Sequence, residues 1–223
     1  MIFRDRQDAG LKLATELMSC KAESPIVYGL PRGGVEVAAE VARSLEAPLE
    51  LLLVRKIGVP WQPELAMGAV VDGGTPIVVR NEDVLATIRV SPDAFAEVCA
   101  RELAEIERRR LRYLGDRAPL DPAGRLAIVI DDGIATGATM TAALRALRQR
   151  KPKAIILAVP VAAQQTLERL RTEADRVICL EKPEDLDAIG YFYEDFHQLD
   201  DDDVVRLLAQ ARNAPPRTDA RIT

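Results

Sequence analysis

The sequence predicts an α/β protein with an open, mainly parallel sheet and helices on both of its faces. Short apolar runs alternate with longer amphipathic stretches, as they do in consecutive β-α-β units. The first unit comprises a strand at 25–29, a helix at 35–46 and a strand at 49–54. A strand-helix-strand-helix-strand pattern fills residues 125–180. In such sheets ligands bind beyond the carboxyl ends of the strands, so the turns at those ends are the first candidates for function.

Composition indicates a globular protein and excludes several kinds of site. The 223 residues include 48% hydrophobic and 29% charged side chains, with a formal net charge of −5. A general nucleic-acid binder usually carries a positive excess, so no nucleic-acid partner is expected. One histidine and three dispersed cysteines exclude a multi-histidine metal site, a CxxC zinc site and a disulfide framework. Because neither a long apolar run nor a signal core is present, we expect a cytoplasmic protein without membrane contact.

Two stretches depart from the regular alternation of strands and helices. The first, at about 57–120, is an insert whose start is rich in Gly and Pro, and residues 57–75 are expected to be mobile without ligand. Within it, residues 69–71 and 77–79 are spaced to pair as a hairpin, and a long charged helix follows. The second stretch, 181–223, is an acidic and aromatic C-terminal extension. We therefore divide the chain into an α/β core over 1–180, which includes the insert, and this extension.

The most informative segment is the strand, turn and helix start at residues 128–139. Apolar residues lead into two adjacent carboxylates, Asp131 and Asp132, and a turn of small residues precedes the helix. Backbone N–H groups of such a turn and of the helix N-terminus form a cradle for an anion. Carboxylates accept hydrogen bonds from hydroxyl groups, so the arrangement fits a phosphorylated sugar. The residues expected to form the cradle are Ala135, Thr136, Gly137, Ala138 and Thr139.

This segment resembles the signature of the type I phosphoribosyltransferases, which is a hydrophobic strand, two acidic residues and a turn ending Thr-Gly-x-Thr. The resemblance covers roughly residues 25–180 and is closest to bacterial members of the family with no assigned acceptor base. Two positions depart from the usual pattern. Ala135 stands where hypoxanthine-guanine enzymes carry an aspartate, as it does in adenine enzymes, and Ala138 replaces the more usual glycine.

Two further segments extend the resemblance. The loop after the first strand contains Arg32, Gly33 and Gly34, in the place of the family's pyrophosphate-binding loop. Arg55 and Lys56 follow the second strand and resemble the Arg-Lys-x-Gly segment of adenine phosphoribosyltransferases, which supplies cations to the leaving pyrophosphate. Each segment also has an ordinary explanation, namely a β-α turn with an exposed arginine and two solvated charges at a strand end. Their register with the acidic motif favours the functional interpretation.

The resemblance implies a Mg²⁺-dependent transfer of the phosphoribosyl group from phosphoribosyl pyrophosphate to a nitrogenous base, with release of pyrophosphate. Asp131 and Asp132 would hold the ribose hydroxyls and favour a cationic sugar. Lys56 would stabilise the leaving group, and Glu64 is the candidate proton acceptor, although its position is also typical of a helix start. Mg²⁺ would be held mainly by substrate and water, without a protein metal site. The family likeness also implies a homodimer and makes the insert and the C-terminal extension candidates for the hood over the site.

Other functions remain open on the sequence alone. A phosphoribosyl pyrophosphate-binding regulatory protein without turnover would share the cradle, but a regulator of transcription would need a basic surface. A hydrolase or structural module would not need both acids together with Arg32 and Lys56. Trp61 is interpreted as packing or as a cover for the closed site, and His197 as structural or exposed. Because the acids are expected to face the crevice, Asp132→Asn should lower turnover more than stability.

Overall fold

The computed structural model describes residues 2–72 and 76–213, which contain eight strands and seven α-helices. The strands are β1 (Ile26–Gly29), β2 (Leu49–Leu51), β3 (Val54–Val59), β4 (Gln62–Val71), β5 (Ile77–Arg80), β6 (Leu126–Ile130), β7 (Ala154–Val161) and β8 (Arg176–Glu181). The helices are α1 (Arg6–Leu17), α2 (Gly33–Leu45), α3 (Glu82–Ile88), α4 (Pro92–Leu114), α5 (Ala138–Gln149), α6 (Gln164–Leu170) and α7 (Asp201–Asn213).

Five parallel strands form the central sheet in the order β2-β1-β6-β7-β8. Both faces are covered, because successive residues of β6 enter different core clusters: Ile128 and Ile130 join one, and Ala127 and Val129 join the other. Burial on both sides explains why these strands read as continuous apolar runs. The open parallel sheet with helices on both faces is as predicted. Since Gly29 is in register with Ile130, β1 and β6 end side by side.

A second, antiparallel sheet has the order β3-β4-β5 and carries the start of the predicted insert. The predicted hairpin is confirmed, with Ala69 opposite Val79 and Val71 opposite Ile77. The predicted second strand is too long: β2 ends at Leu51, and Val54 already belongs to the other sheet. The apolar run gives no sign of this crossing because the chain stays buried while it passes between the sheets. In this crossing segment the Leu52 N–H donates to the carbonyl of Gly29 in β1. The Leu53 carbonyl accepts the N–H of Asp72, which follows β4.

The turn between β3 and β4 is tighter than the sequence indicates. Glu64 lies within β4 and not at a helix start, so that ordinary interpretation of its position is wrong. The register of the two strands shifts on either side of Gly58. A Cβ there would lie 2.5 Å from the Pro63 carbonyl oxygen, so the close approach of the strands requires glycine. Bulges of this kind re-aim side chains and occur often beside active sites. Of the segment expected to be flexible, residues 73–75 lie outside the described residues.

The C-terminal extension packs on the N-terminal part of the chain. Phe3 donates its N–H to the Phe192 carbonyl and bridges to Tyr193, and α7 packs against α2 and α4. Asp200 and Asp203 cap the start of α7 reciprocally, each accepting the backbone N–H of the other at 2.8 Å. Residues 214–223 of the predicted extension lie outside the described residues.

Candidate active site

The acidic pair lies at the carboxyl end of β6, beside the loop that follows β1. Asp131 accepts a hydrogen bond from the Asp132 backbone N–H on its Oδ1 atom at 2.9 Å, which orients the two carboxylates relative to each other. The Leu30 backbone N–H donates to the Ile130 carbonyl at 3.0 Å and continues the pairing of the two strands into their loops. Two segments that are distant in sequence therefore meet at one edge of the sheet, as the topology of parallel strands requires.

Glycines in the β1 loop let its backbone pack directly on the acidic pair. A Cβ on Gly34 would lie 2.7 Å from the Asp131 Cα and 2.9 Å from the Ile130 carbonyl oxygen. A Cβ on Gly33 would lie 1.9 Å from the Asp132 Oδ2 atom. The atoms near Gly34 include backbone atoms, so only glycine fits there, whereas a methyl group on residue 33 would have to displace the Asp132 carboxylate. The adjacent peptide bond between Pro31 and Arg32 is cis, and the Arg32 side chain is exposed to solvent at this loop.

A buried arginine that the sequence interpretation missed is bound to Asp132. The Arg6 Nε atom donates to Asp132 Oδ2 at 2.8 Å, and the two side chains are 6% and 14% exposed. The Arg6 Nη1 atom donates to the His197 carbonyl at 2.8 Å, and the Phe196 ring lies 3.9 Å from the guanidinium carbon. The Tyr193 hydroxyl donates to the Asp132 carbonyl at 2.6 Å. The N-terminal helix and the C-terminal extension thus both cover Asp132.

The electrostatics of the site follow from this enclosure. Burial raises the pKa of the Asp131 carboxyl well above its usual range, and repulsion from Asp132 raises it further. Burial likewise raises the pKa of the Tyr193 hydroxyl, so this group remains a hydrogen-bond donor. Glu36 on α2 also has a raised pKa because it is buried. Three carboxyl groups beside one buried guanidinium offer hydrogen-bond acceptors for hydroxyl-bearing ligands.

The predicted anion cradle is the start of α5. Gly137 is the N-cap residue with a φ of 76°, a left-handed conformation that favours glycine, and no side chain caps the helix. The Thr166 hydroxyl donates to the Ala135 carbonyl at 2.8 Å and fixes the turn from behind. The side chains of Thr136 and Thr139 are exposed. The helix N-terminus therefore presents uncapped N–H groups, the usual arrangement for binding phosphate.

The predicted cations lie on the β3–β4 hairpin and are paired with acids. Arg55 forms an ion pair with Glu102 of α4 at 2.8 Å, and Lys56 pairs with Glu64 at 3.1 Å. Glu64 is 95% exposed. All four line a cavity of about 400 Å³ that also includes Thr139 of the cradle, whereas the acidic pair is not part of its lining. The hairpin cations thus lie beside the cradle, and the β1 loop lies beside the acids.

Two other side chains complete the account of the predicted residues. Trp61 is exposed at the turn of the β3–β4 hairpin. The His197 ring is half exposed, with its Nδ1 atom 3.3 Å from Asp195, in agreement with a structural or exposed residue. Arg6 had no sequence signal, because an arginine at the start of an amphipathic helix reads as an exposed charge. The aromatic residues of the extension were visible as a cluster, but nothing in the sequence placed them over Asp132.

The described part of the chain holds neither a preformed metal site nor a membrane-spanning helix. Residues 2–72 and 76–213 contain no group of three or more His, Cys, Asp or Glu side chains arranged to hold a metal ion. The oxygens of Asp131 and Asp132 are hard donors of the type that Mg²⁺ prefers, but Asp132 already binds Arg6. These residues fit Mg²⁺ only as minor ligands beside a substrate that supplies most of the oxygens. Over the same residues, no helix has the length and apolar character needed to cross a membrane.

Comparison with known proteins places this geometry in a family. The family model of the phosphoribosyl transferase domain matches residues 5–195. Two proteins of Mycobacterium tuberculosis, provisionally named phosphoribosyl transferases MT0597 (strain CDC 1551) and Rv0571c (strain H37Rv), are 43% identical over 210 residues. The match covers 94% of this chain and 47% of each relative, so the chain spans about half the length of these curated relatives. The crystal structure of TT1426 from Thermus thermophilus is 41% identical, with a TM-score of 0.83, covering 94% of this chain and 99% of that one.

Proposed function

The chain belongs to the phosphoribosyl transferase domain family, and on that premise we propose that it transfers the phosphoribosyl group of phosphoribosyl pyrophosphate to a nitrogenous base. Pyrophosphate leaves from the anomeric carbon of the ribose as a ring nitrogen of the base attacks it. The observation that carries this proposal is the Asp131–Asp132 pair, packed against Gly33 and Gly34 and followed by the uncapped start of α5. The site offers acceptors for ribose hydroxyls and donors for a phosphate at the spacing of a single turn.

The acidic pair would hold the sugar and favour positive charge on it. Departure of pyrophosphate leaves an oxocarbenium-like ribose, and a nearby carboxylate stabilises that charge in a water-poor site. Asp131 is the better placed of the two acids because Oδ2 of Asp132 is bound by Arg6. The turn at 135–139 would bind the 5′-phosphate through its backbone N–H groups and the Thr136 and Thr139 hydroxyls. Binding both ends of the ribose phosphate fixes the anomeric carbon between the acids and the base.

The cations would stabilise the leaving pyrophosphate. Arg32 is exposed at the β1 loop, and Gly33 and Gly34 keep that loop close to the acids. Lys56 and Arg55 would turn from Glu64 and Glu102 towards the pyrophosphate, which for Lys56 means giving up only an exposed ion pair. Exposed ion pairs of this kind contribute at most about 1 kcal/mol to stability. The negatively charged pyrophosphate group of the ligand therefore displaces them easily. Mg²⁺, bound mainly by substrate and water, would supply further neutralisation of the leaving group.

The proton lost by the base requires an acceptor, and Glu64 is our candidate. Its carboxylate is exposed at the edge of the cavity that Thr139 and Lys56 share. If Lys56 turns to the pyrophosphate, the ion pair with Glu64 is broken and this carboxylate becomes free to accept a proton. The Trp61 side chain, at the tip of the same hairpin, would then cover the site and exclude water from the sugar cation.

Release of pyrophosphate with a panel of bases tests the proposal. We expect turnover of phosphoribosyl pyrophosphate with at least one purine, pyrimidine or related ring, dependent on Mg²⁺ and lost in Asp131→Asn. Tight binding without turnover for any base would instead support a regulatory protein that senses the same ligand. The proposal also includes a cytoplasmic homodimer that acts without nucleic acid, by likeness to the family. Light scattering during size-exclusion chromatography tests the dimer.

A further inference from the structure

The buried Arg6 side chain forms an ion pair with Asp132 and also interacts electrostatically with Glu36, a second carboxylate. Its Nε atom bonds Asp132, and its Nη1 atom bonds the His197 carbonyl, so two of the three guanidinium nitrogens are engaged. The Arg6 charge is also the largest favourable influence on the ionised form of Glu36. Glu36 follows Gly33 by three residues on α2, and positions three apart lie on the same face of a helix. Since the Cβ position of Gly33 is 3.0 Å from Arg6 Nε, the guanidinium lies over this face.

Glu36 offers a second place for the guanidinium to bind. The residue is only 6% exposed, and its Oε2 atom is buried without a hydrogen bond from any described residue. Its other oxygen, Oε1, accepts a long hydrogen bond of 3.4 Å from the Gln7 side chain, on the residue next to Arg6. A buried carboxylate oxygen without a donor is unfavourable, and most buried polar groups in proteins have a hydrogen-bond partner. An arginine with an unused nitrogen atom nearby is the donor that fits.

We propose that Arg6 is a positioning residue that exchanges carboxylates: it holds Asp132 in the ligand-free protein and moves to Glu36 when ribose hydroxyls occupy Asp132. The inference rests on the proposed function, because it takes the ribose of phosphoribosyl pyrophosphate as the ligand that releases Asp132. In the ligand-free protein the Phe196 ring covers the guanidinium, with its centroid 3.9 Å from the guanidinium carbon.

The exchange explains how a buried ion pair can coexist with a binding site. Breaking the Arg6–Asp132 pair without compensation would leave a buried cation unpaired, which is strongly unfavourable. Transfer to Glu36 keeps the cation paired and supplies the missing donor to Oε2. The ligand then gains Asp132 as an acceptor at little net cost. In the empty site Arg6 neutralises the charge of Asp132. The phosphates of an arriving ligand are therefore repelled less by this carboxylate.

Replacement of Glu36 by glutamine separates this role from a structural one. The substitution keeps the shape and removes the charge that Arg6 would join. In Glu36→Gln we expect an unchanged or higher unfolding temperature for the ligand-free protein, because a buried charge without a full partner has been removed. We expect phosphoribosyl pyrophosphate with Mg²⁺ to bind about 10-fold more weakly in titration calorimetry, since Arg6 can no longer form an ion pair with residue 36. Affinity within twofold of the wild type would overturn the exchange.

Glu40→Gln is the matched control on the same helix. Glu40 is also buried, at 5% exposure, but it pairs with Arg43 at 2.7 Å, one turn further from the acids. We expect this variant to unfold at a lower temperature and to bind the ligand with wild-type affinity. Equal losses of affinity in both variants would show a general effect of buried carboxylates on α2 and would contradict the specific role of Glu36.

A structure of the wild-type protein with phosphoribosyl pyrophosphate and Mg²⁺ gives a test that does not depend on any variant folding. The exchange predicts a guanidinium nitrogen of Arg6 at about 3 Å from Glu36 Oε2 and no longer bonded to Asp132 Oδ2. An Arg6–Asp132 pair retained beside bound ligand would overturn it. If the wild type does not bind the ligand at all, the proposed function fails, and this inference fails with it. Binding by the wild type without any movement of Arg6 refutes only the inference.

Discussion

The two halves of the candidate site are held together by different forces. The acidic half is buried and joins distant parts of the chain, with Arg6 and Asp132 separated by 126 positions. The cationic half is a hairpin whose exposed pair, Lys56 and Glu64, is only eight residues apart. In the first half, stability and ligand binding depend on the same contacts. In the second, the charges are free to change partners without disturbing the core.

This difference suggests how the proposed reaction divides its tasks. A rigid, buried acceptor site fixes the ribose in one position, as positioning catalysis requires. A solvent-exposed hairpin with weak ion pairs adapts to the pyrophosphate that arrives and leaves. Substitutions in the acidic half should therefore change stability and binding together, whereas substitutions in the cationic half should lower binding alone. The following predictions test that separation, beginning with the largest effect on stability.

Asp132→Asn should destabilise the protein most. Arg6 then loses the carboxylate that it binds in the ligand-free protein, and breaking a buried pair in this way costs about 3 kcal/mol or more. This expectation replaces the one drawn from sequence, in which the carboxylate faced an open crevice. Urea denaturation gives the free energy of unfolding. Asp202→Asn is the control, because Asp202 forms an exposed pair with Arg112. An Asp132→Asn protein as stable as this control would contradict a buried, structurally important pair.

Gly34→Ala should lower stability by about 2 kcal/mol, because the added methyl group overlaps backbone atoms that cannot move aside. The Asp131 Cα and the Ile130 carbonyl are the atoms it would meet. Binding of phosphoribosyl pyrophosphate should be lost at the same time, since the loop would move away from the acids. Normal binding by Gly34→Ala would show that the close packing of loop and acids is not needed.

Asp131→Asn should stabilise the protein and weaken binding of the ligand. Because burial and Asp132 raise the folded-state pKa of this carboxyl above its unfolded value, the folded protein holds the proton more tightly. The wild type is then most stable, with respect to this group, below the unfolded pKa, and it loses stability as pH rises through the folded pKa. Asparagine removes that loss and keeps the Oδ1 acceptor for the Asp132 N–H. Thermal unfolding from pH 4 to 8 should show a higher and flatter curve; a steeper fall than in the wild type would contradict the raised pKa.

Lys56→Met should have the smallest effect on stability, less than about 1 kcal/mol, because its ion pair is exposed. Affinity for phosphoribosyl pyrophosphate should nevertheless fall about 10-fold, through loss of a charged hydrogen bond to the pyrophosphate. Lys153→Met is a control outside the site, since Lys153 pairs with the exposed Glu23. Unchanged affinity in Lys56→Met would remove the hairpin from the binding site and confine that site to the acidic half.

The sequence predicts best what depends on neighbouring residues. The strand, acidic turn and helix start at 128–139 form a continuous local pattern, and the structure has the strand and helix there with Gly137 as the N-cap. The end of β2 was missed because 49–54 is uniformly apolar, and burial continues while the chain changes sheets. Periodicity does not distinguish a buried strand from a buried crossing.

Contacts between distant residues were beyond prediction. Arg6, Tyr193 and Phe196 come together at Asp132 only because the first and last parts of the described chain pack on each other. Each reads locally as an ordinary helix or loop residue. The same reasoning explains why the structure changes the expectation for Asp132→Asn, since the sequence shows that two acids follow a strand but not what covers them.

Titration of the wild-type protein with phosphoribosyl pyrophosphate, in Mg²⁺ and in EDTA, tests the central claim most directly. The claim is that the acidic pair and the start of α5 form a binding site for this ligand. We predict saturable heat of binding in the presence of Mg²⁺ and a large reduction in EDTA, with the Mg²⁺-dependent heat reduced further in Asp131→Asn. No heat with millimolar ligand in either buffer would contradict the account, and equal binding by wild type and Asp131→Asn would contradict the assigned site.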